Sequence, residues 1–156
     1  MRTRMTMLRR MTAAVGVVAL AGGLAFGGMA GASVARKPMS ERQWRKTANN
    51  ICVQSNTLFD EAGQTTFAGL PPDGQPSLDQ MTAFVTAIEP ILQQRIDSID
   101  ALKEPTRLKQ QVKKLLKVAQ AELDALVADP SRGLEGDPFT GASLASKKLK
   151  LKDCGS

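Results

Sequence analysis

The chain has 156 residues, with 21 Lys and Arg against 15 Asp and Glu for a formal net charge of +6, and it contains no His, no Tyr, one Trp and two Cys. Without His, no imidazole is available for acid–base, nucleophilic or metal-ligating work. The two Cys, at positions 52 and 154, form neither a C-x-x-C redox motif nor a zinc-ribbon spacing.

The first residues point to export. Arg2, Arg4, Arg9 and Arg10 precede a stretch, residues 13–32, with no charged side chain. Two small-x-small sites follow, Ala30-Gly31-Ala32 and Ser33-Val34-Ala35. A basic segment, an apolar segment and such a site describe a secretory signal peptide. The expected organisation is a signal peptide over 1–35, cleaved near 32 or 35, and a single domain over 36–156. The length of the apolar stretch would also suit a membrane anchor, but its Gly and Ala content and its small-residue end favour cleavage. Arg9-Arg10 hints at twin-arginine export, although the Met-Thr-Ala that follows matches that signal poorly. No Cys lies near the cleavage site, so a lipoprotein anchor is not expected. From Ser33 onward the balance is 17 basic to 15 acidic residues. The basic character of the precursor thus belongs mostly to targeting, and a nucleic-acid partner is not expected.

The domain reads as four helices. Ser40-Glu41-Arg42-Gln43 has the capping-box form S-x-x-Q. Behind it, Trp44, Ala48, Ile51, Cys52, Ser55, Leu58, Phe59 and Ala62 recur at steps of three and four, which predicts a helix over 40–62 stopped by Gly63. Residues 63–76, including Pro71-Pro72-Asp73-Gly74, form a loop, with Phe67 and Leu70 tucked back onto the bundle. Ser77-Leu78-Asp79-Gln80 repeats the capping box. Met81, Phe84, Val85, Ile88, Leu92, Ile96, Ile99 and Leu102 then mark a helix over 77–103, with a kink expected at Pro90. Pro105 suits the first turn of a third helix. Its stripe is Leu108, Val112, Leu115, Leu116, Ala119, Leu123, Leu126 and Val127, and it ends near Ala128 before Pro130. Residues 131–136 read as a loop. Asp137-Pro138 opens a short last helix over 138–149, with Phe139, Ala142, Ala145 and Leu149 inward; Gly141 and its Ser and Thr make it the weakest. No segment alternates as a strand does. The fold class is all-α: an up-down helical bundle of three long helices plus a short fourth, tied by one disulfide.

The disulfide follows from that topology. A first helix about 35 Å long places Cys52 near its middle, and a last helix of about 18 Å, starting at the far end, stops beside that point. A few residues of tail then bring Cys154 to Cys52. An exported chain with two Cys is expected to oxidise them.

The layout resembles that of many small exported actinobacterial proteins that have not been characterised. The shared features are an Ile-Cys early in the first helix, here Ile51-Cys52, leucine-striped helices, and an end like Gly-Leu-x-x-Cys-Gly, here Leu151-Lys152-Asp153-Cys154-Gly155. Lys150 stands where Gly is common in that ending. The resemblance implies an envelope or extracellular setting and carries over no active site.

For function, the leading expectation is a non-enzymatic structural or interaction domain. No G-x-S-x-G, H-E-x-x-H or phosphate loop is present. Asp97 and Asp100, one helical turn apart, read as a solvated face. Neither a cofactor nor a metal is expected. Two binding readings stand beside the leading one. Lys147, Lys148, Lys150 and Lys152, around Leu149 and Leu151, could attract an anionic envelope lipid or polymer. A kink at Pro90 could open the bundle core near Met81, Phe84 and Val85 to a small apolar ligand. The partner is otherwise undetermined: an envelope surface or another secreted protein.

Overall fold

In a computed structural model, the chain is described over residues 39–71 and 73–155. The expected signal peptide lies outside the described residues. Five helices follow in order: α1 (Glu41–Thr66), α2 (Leu78–Asp100), α3 (Lys109–Ala128), α4 (Arg132–Glu135) and α5 (Thr140–Lys148). Successive helices pack side by side, α1 on α2, α2 on α3 and α3 on α5, while α4 rests on α2. The described residues are all-helical apart from turns and loops. The up-down bundle is therefore present, with one short helix, α4, in what the sequence presents as a loop.

The helix starts obey local chemistry. The Ser40 hydroxyl accepts from the Gln43 backbone N–H, and Ser77 forms a complete capping box with Gln80. The helix ends depart from local expectation. α1 runs past Gly63 to Thr66, because Phe67 at its C-cap packs its ring 4.9 Å from that of Phe84, and Phe59 meets Phe84 edge-on at 5.2 Å. These aromatic contacts outweigh the roughly 1 kcal/mol helix penalty of one glycine. Leu58, assigned inward, is 45% exposed because it sits at the margin of the stripe whose centre is Cys52, Ser55 and Phe59. Pro90 does not break α2. It lies on the exposed face, so the Thr86 carbonyl that loses its helical partner is open to water. Pro105 is buried in a turn that precedes α3 rather than in its first turn, and Leu108 N–H donates to the Pro105 carbonyl at 2.8 Å.

The apolar stripes collect into two clusters. One contains Trp44, Ala48, Cys52, Ile99, Leu108, Val112, Leu115, Ala142, Leu149 and Leu151. The other contains Met81, Val85, Ile88, Leu92, Leu123 and Leu126, with Phe59, Phe67, Phe84 and Phe139 packed around it. No described helix is long and apolar enough to cross a membrane.

Candidate functional site

The last helix and the tail are fixed by groups contributed from α1 and α3. Glu122 of α3 receives two backbone N–H groups at the start of α5, from Gly141 to Oε1 at 2.8 Å and from Ala142 to Oε2 at 2.9 Å. A carboxylate spanning two N-terminal amides satisfies donors that a helix otherwise leaves unpaired, and it favours the positive end of the helix dipole. Gly141 permits this approach: a Cβ there would lie 2.5 Å from Glu122 Oε1 and 2.9 Å from Val118 Cγ1. The glycine that weakens the helix by propensity is what lets α3 cap it.

At its other end α5 closes in a Schellman motif. Lys150 N–H donates to the Lys147 carbonyl and Leu151 N–H to that of Ser146, both at 3.0 Å, and Lys150 takes φ of 59°. That left-handed position is where glycine is favoured. Beyond it the tail runs along α1. Arg45 Nε donates to the Leu149 carbonyl at 3.0 Å, Asn49 Oδ1 accepts from Asp153 N–H at 3.3 Å, and Asn56 Nδ2 donates to the Asp153 carbonyl at 2.9 Å. Cys52 and Cys154 are joined by a disulfide with their Cα atoms 5.1 Å apart, as the bundle topology predicts. Leu149 and Leu151 are fully buried beside it.

Lys147, Lys148, Lys150 and Lys152 consequently all face solvent, and none of them makes an ion pair among the described residues. Leu144, 55% exposed, projects from the same short helix. The structure brings these lysines onto one terminal segment but gives them no buried or preorganised anion site.

Between the two core clusters the bundle is not filled. No packing comparable to that of the other neighbours joins α1 to α5. A cavity of about 500 Å³ occupies the seam, bounded by Cys52, Asn56 and Phe59 of α1, by Met81, Phe84, Leu92, Arg95, Ile96 and Ile99 of α2, and by Leu115, Ala119, Leu123 and Leu126 of α3. Phe139, Ala142 and Ser146 line it from the α5 side, and Cys154 and Gly155 from the tail. Its walls are mainly apolar. Met81 and Phe84, the residues expected near a ligand space, line it. Val85 is buried in the neighbouring cluster and does not.

Among the described residues, Arg95 is the one cation on the cavity wall. Its Nε donates to Ser55 Oγ at 2.8 Å, and its Nη2 donates to Asn56 Oδ1. Burial pushes its pKa below the ordinary arginine value, although the guanidinium stays charged at any physiological pH. Sequence reading missed Arg95, Asn49, Asn56 and Glu122. One signal for Arg95 was present: it sits between Leu92 and Ile96 on the apolar side of the second helix, where a charged residue interrupts the stripe.

No group of three or more His, Cys, Asp or Glu among the described residues is placed to hold a metal ion. No family model matches the chain, and no curated protein or solved structure is significantly similar to it.

Proposed function

We propose that the protein is an exported, disulfide-tied helical carrier that holds a small apolar molecule between α1 and α5. The observation that carries this reading is the cavity of about 500 Å³ at the junction of the two core clusters. Its volume falls within the ~300–1,000 Å³ usual for small-molecule sites, and its lining of apolar and aromatic side chains with few polar groups is the usual composition. Met81 on the wall adds an adaptable surface suited to ligands of variable shape. The Cys52–Cys154 bond and the charged-then-apolar leader support an extracytoplasmic setting, in keeping with the resemblance to small exported actinobacterial proteins. A pure protein-interaction role has less behind it. The exposed large apolar residues, Val53, Leu58, Leu78, Val127, Leu134 and Leu144, come from all five helices, one or two each. An enzymatic role has no nucleophile–base arrangement to support it.

The test is a native, non-reduced intact mass of the protein secreted by its own host and purified without detergent. The expected species starts near Ser33 or Arg36, lacks two hydrogens and carries a small-molecule adduct. An oxidised mass with no adduct in repeated preparations sinks the carrier reading. A reduced mass that retains Met1 sinks export.

A second reading rests on a separate observation, the four exposed lysines, without an ion pair among the described residues, beside exposed Leu144. They would draw this end of the molecule to an anionic envelope surface at about 1 kcal/mol per charge near the surface. Sedimentation with anionic vesicles should fall with salt and with replacement of Lys147, Lys148, Lys150 and Lys152 by Gln. Unchanged sedimentation of that variant rules the reading out.

A further inference from the structure

Arg95 is out of place for a core that only has to pack. It is flanked by Leu92, Ile96 and Ile99, all on the cavity wall. A charge in such surroundings is unfavourable unless it is paired. The partners of Arg95 are neutral, the Ser55 hydroxyl and the Asn56 side-chain carbonyl, and no carboxylate among the described residues lies within ion-pair distance of it. Those two bonds use Nε and Nη2. Nη1 has no protein partner among the described residues. It is also not sealed away: the one buried side-chain donor left without a partner there is Trp44 Nε1. The guanidinium is therefore held by its neighbours in one orientation, with donors to spare, at the edge of an apolar space.

We infer that the cavity is built for a single-chain amphiphile with a carboxylate head group, the head on Arg95 and the alkyl chain directed toward Phe84 and Met81. This deepens the carrier reading and rests on it. Charge matching selects the head group. Among the described residues Arg95 is the one positive charge on the lining, and Asp60 and Asp137 stand on the same lining at exposed positions. One cation balances a monoanion. A phosphate monoester, which carries close to two negative charges at neutral pH, would leave an excess beside two aspartates. Arginine also suits a carboxylate by the planar geometry of its donors. The alkyl chain has somewhere to go. From Arg95 to Met81 the axis of α2 runs about 21 Å at 1.5 Å per residue, the length of a long acyl chain. The wall over that distance is Phe84, Leu123 and Leu126. Gly133 completes that end, where a Cβ would lie 2.7 Å from Met81 Sδ.

The experiment compares two probes of equal length, hexadecanoic acid and hexadecan-ol, in equilibrium binding to the oxidised protein and to R95Q. The expected result is that the wild-type protein holds the acid at least about tenfold tighter than the alcohol, the scale of a hydrogen bond to a charged group. R95Q should bind the two probes alike, with its affinity for the alcohol kept. Equal affinity of the wild type for both probes overturns the inference while leaving the carrier reading in place, and needs no variant. A preference for the acid that survives in R95Q also overturns it. Failure of the wild type to bind either probe overturns both.

Discussion

The two halves of the core are built from similar residues and held in different ways. The half around Trp44 and Cys52 is covered by the tail, although Cys52, Ile99, Leu115 and Ala142 also border the cavity. The disulfide crosses it, Leu149 and Leu151 plug it, and Arg45, Asn49 and Asn56 bind the tail that covers it. The half around Met81 and Phe84 has no disulfide among the described residues, and beside it Gln120 of α3 donates to Gln93 of α2 at 3.0 Å. It consists of aliphatic side chains of α2 and α3 ringed by Phe59, Phe67, Phe84 and Phe139, and its inner boundary is the cavity. A short last helix explains the contrast. Nine residues of α5 lie against α3 and do not reach across to α1, so the tail has to complete the seam at one end and leaves the other open.

The comparison breaks most directly at the disulfide. Replacing Cys52 and Cys154 by Ser should lower stability by about 4 to 5 kcal/mol on the chain-entropy model, since the loop closed is most of the domain. Chemical denaturation of the oxidised protein and the double variant measures this. A loss under 1 kcal/mol would mean that the tail is held by its hydrogen bonds and leucines alone.

A pair of equal insertions sharpens the contrast between packed core and cavity wall. Ala48, fully buried, has no room for a larger side chain, so Ala48→Leu should cost about 1–3 kcal/mol. Ala119 packs against the same cluster but also lines the cavity, so Ala119→Leu should be neutral or stabilise by up to about 1 kcal/mol. The same change should abolish the small-molecule adduct. Opposite signs in thermal melts support an unfilled space beside Ala119. Equal losses would show that the cavity wall is as tightly packed as the core.

Glu122 joins the two halves through α5. Glu122→Ala should cost about 1–2 kcal/mol, the range of a lost helix cap. Hydrogen exchange should quicken first at the amides of Gly141 and Ala142, and exchange that speeds uniformly across the domain would argue against a local cap.

The smallest effect expected is a gain. Lys150 holds a left-handed conformation that disfavours a side chain, so Lys150→Gly should stabilise by about 1 kcal/mol. A loss would mean that the long lysine stem covers apolar surface at this point.

The helices themselves were legible because their information is local. Ser40 and Ser77 cap through residues three positions away, and the stripes of α2 and α3 repeat every three to four residues whatever lies beyond them. The disulfide was legible for a related reason: helix lengths and an up-down order leave little choice about what Cys154 can reach. Where local propensity competed with packing, the sequence misled. Gly63 reads as a stop, and α1 passes through it because Phe59 and Phe67 close on Phe84, far away in the chain. Gly141 reads as a weakness, and it is the gap through which Glu122 reaches the α5 amides. The one-turn α4 is too short to show a period.

The amino-acid sequence by itself determined a helical bundle, its order and its disulfide, since each depends on patterns a few residues long or on counting. The tertiary structure alone decided the cavity and the placing of Arg95. A space between helices is a failure of distant side chains to meet, and an arginine becomes distinctive only when its hydrogen-bond partners are seen to be neutral. Neither property belongs to any stretch of sequence.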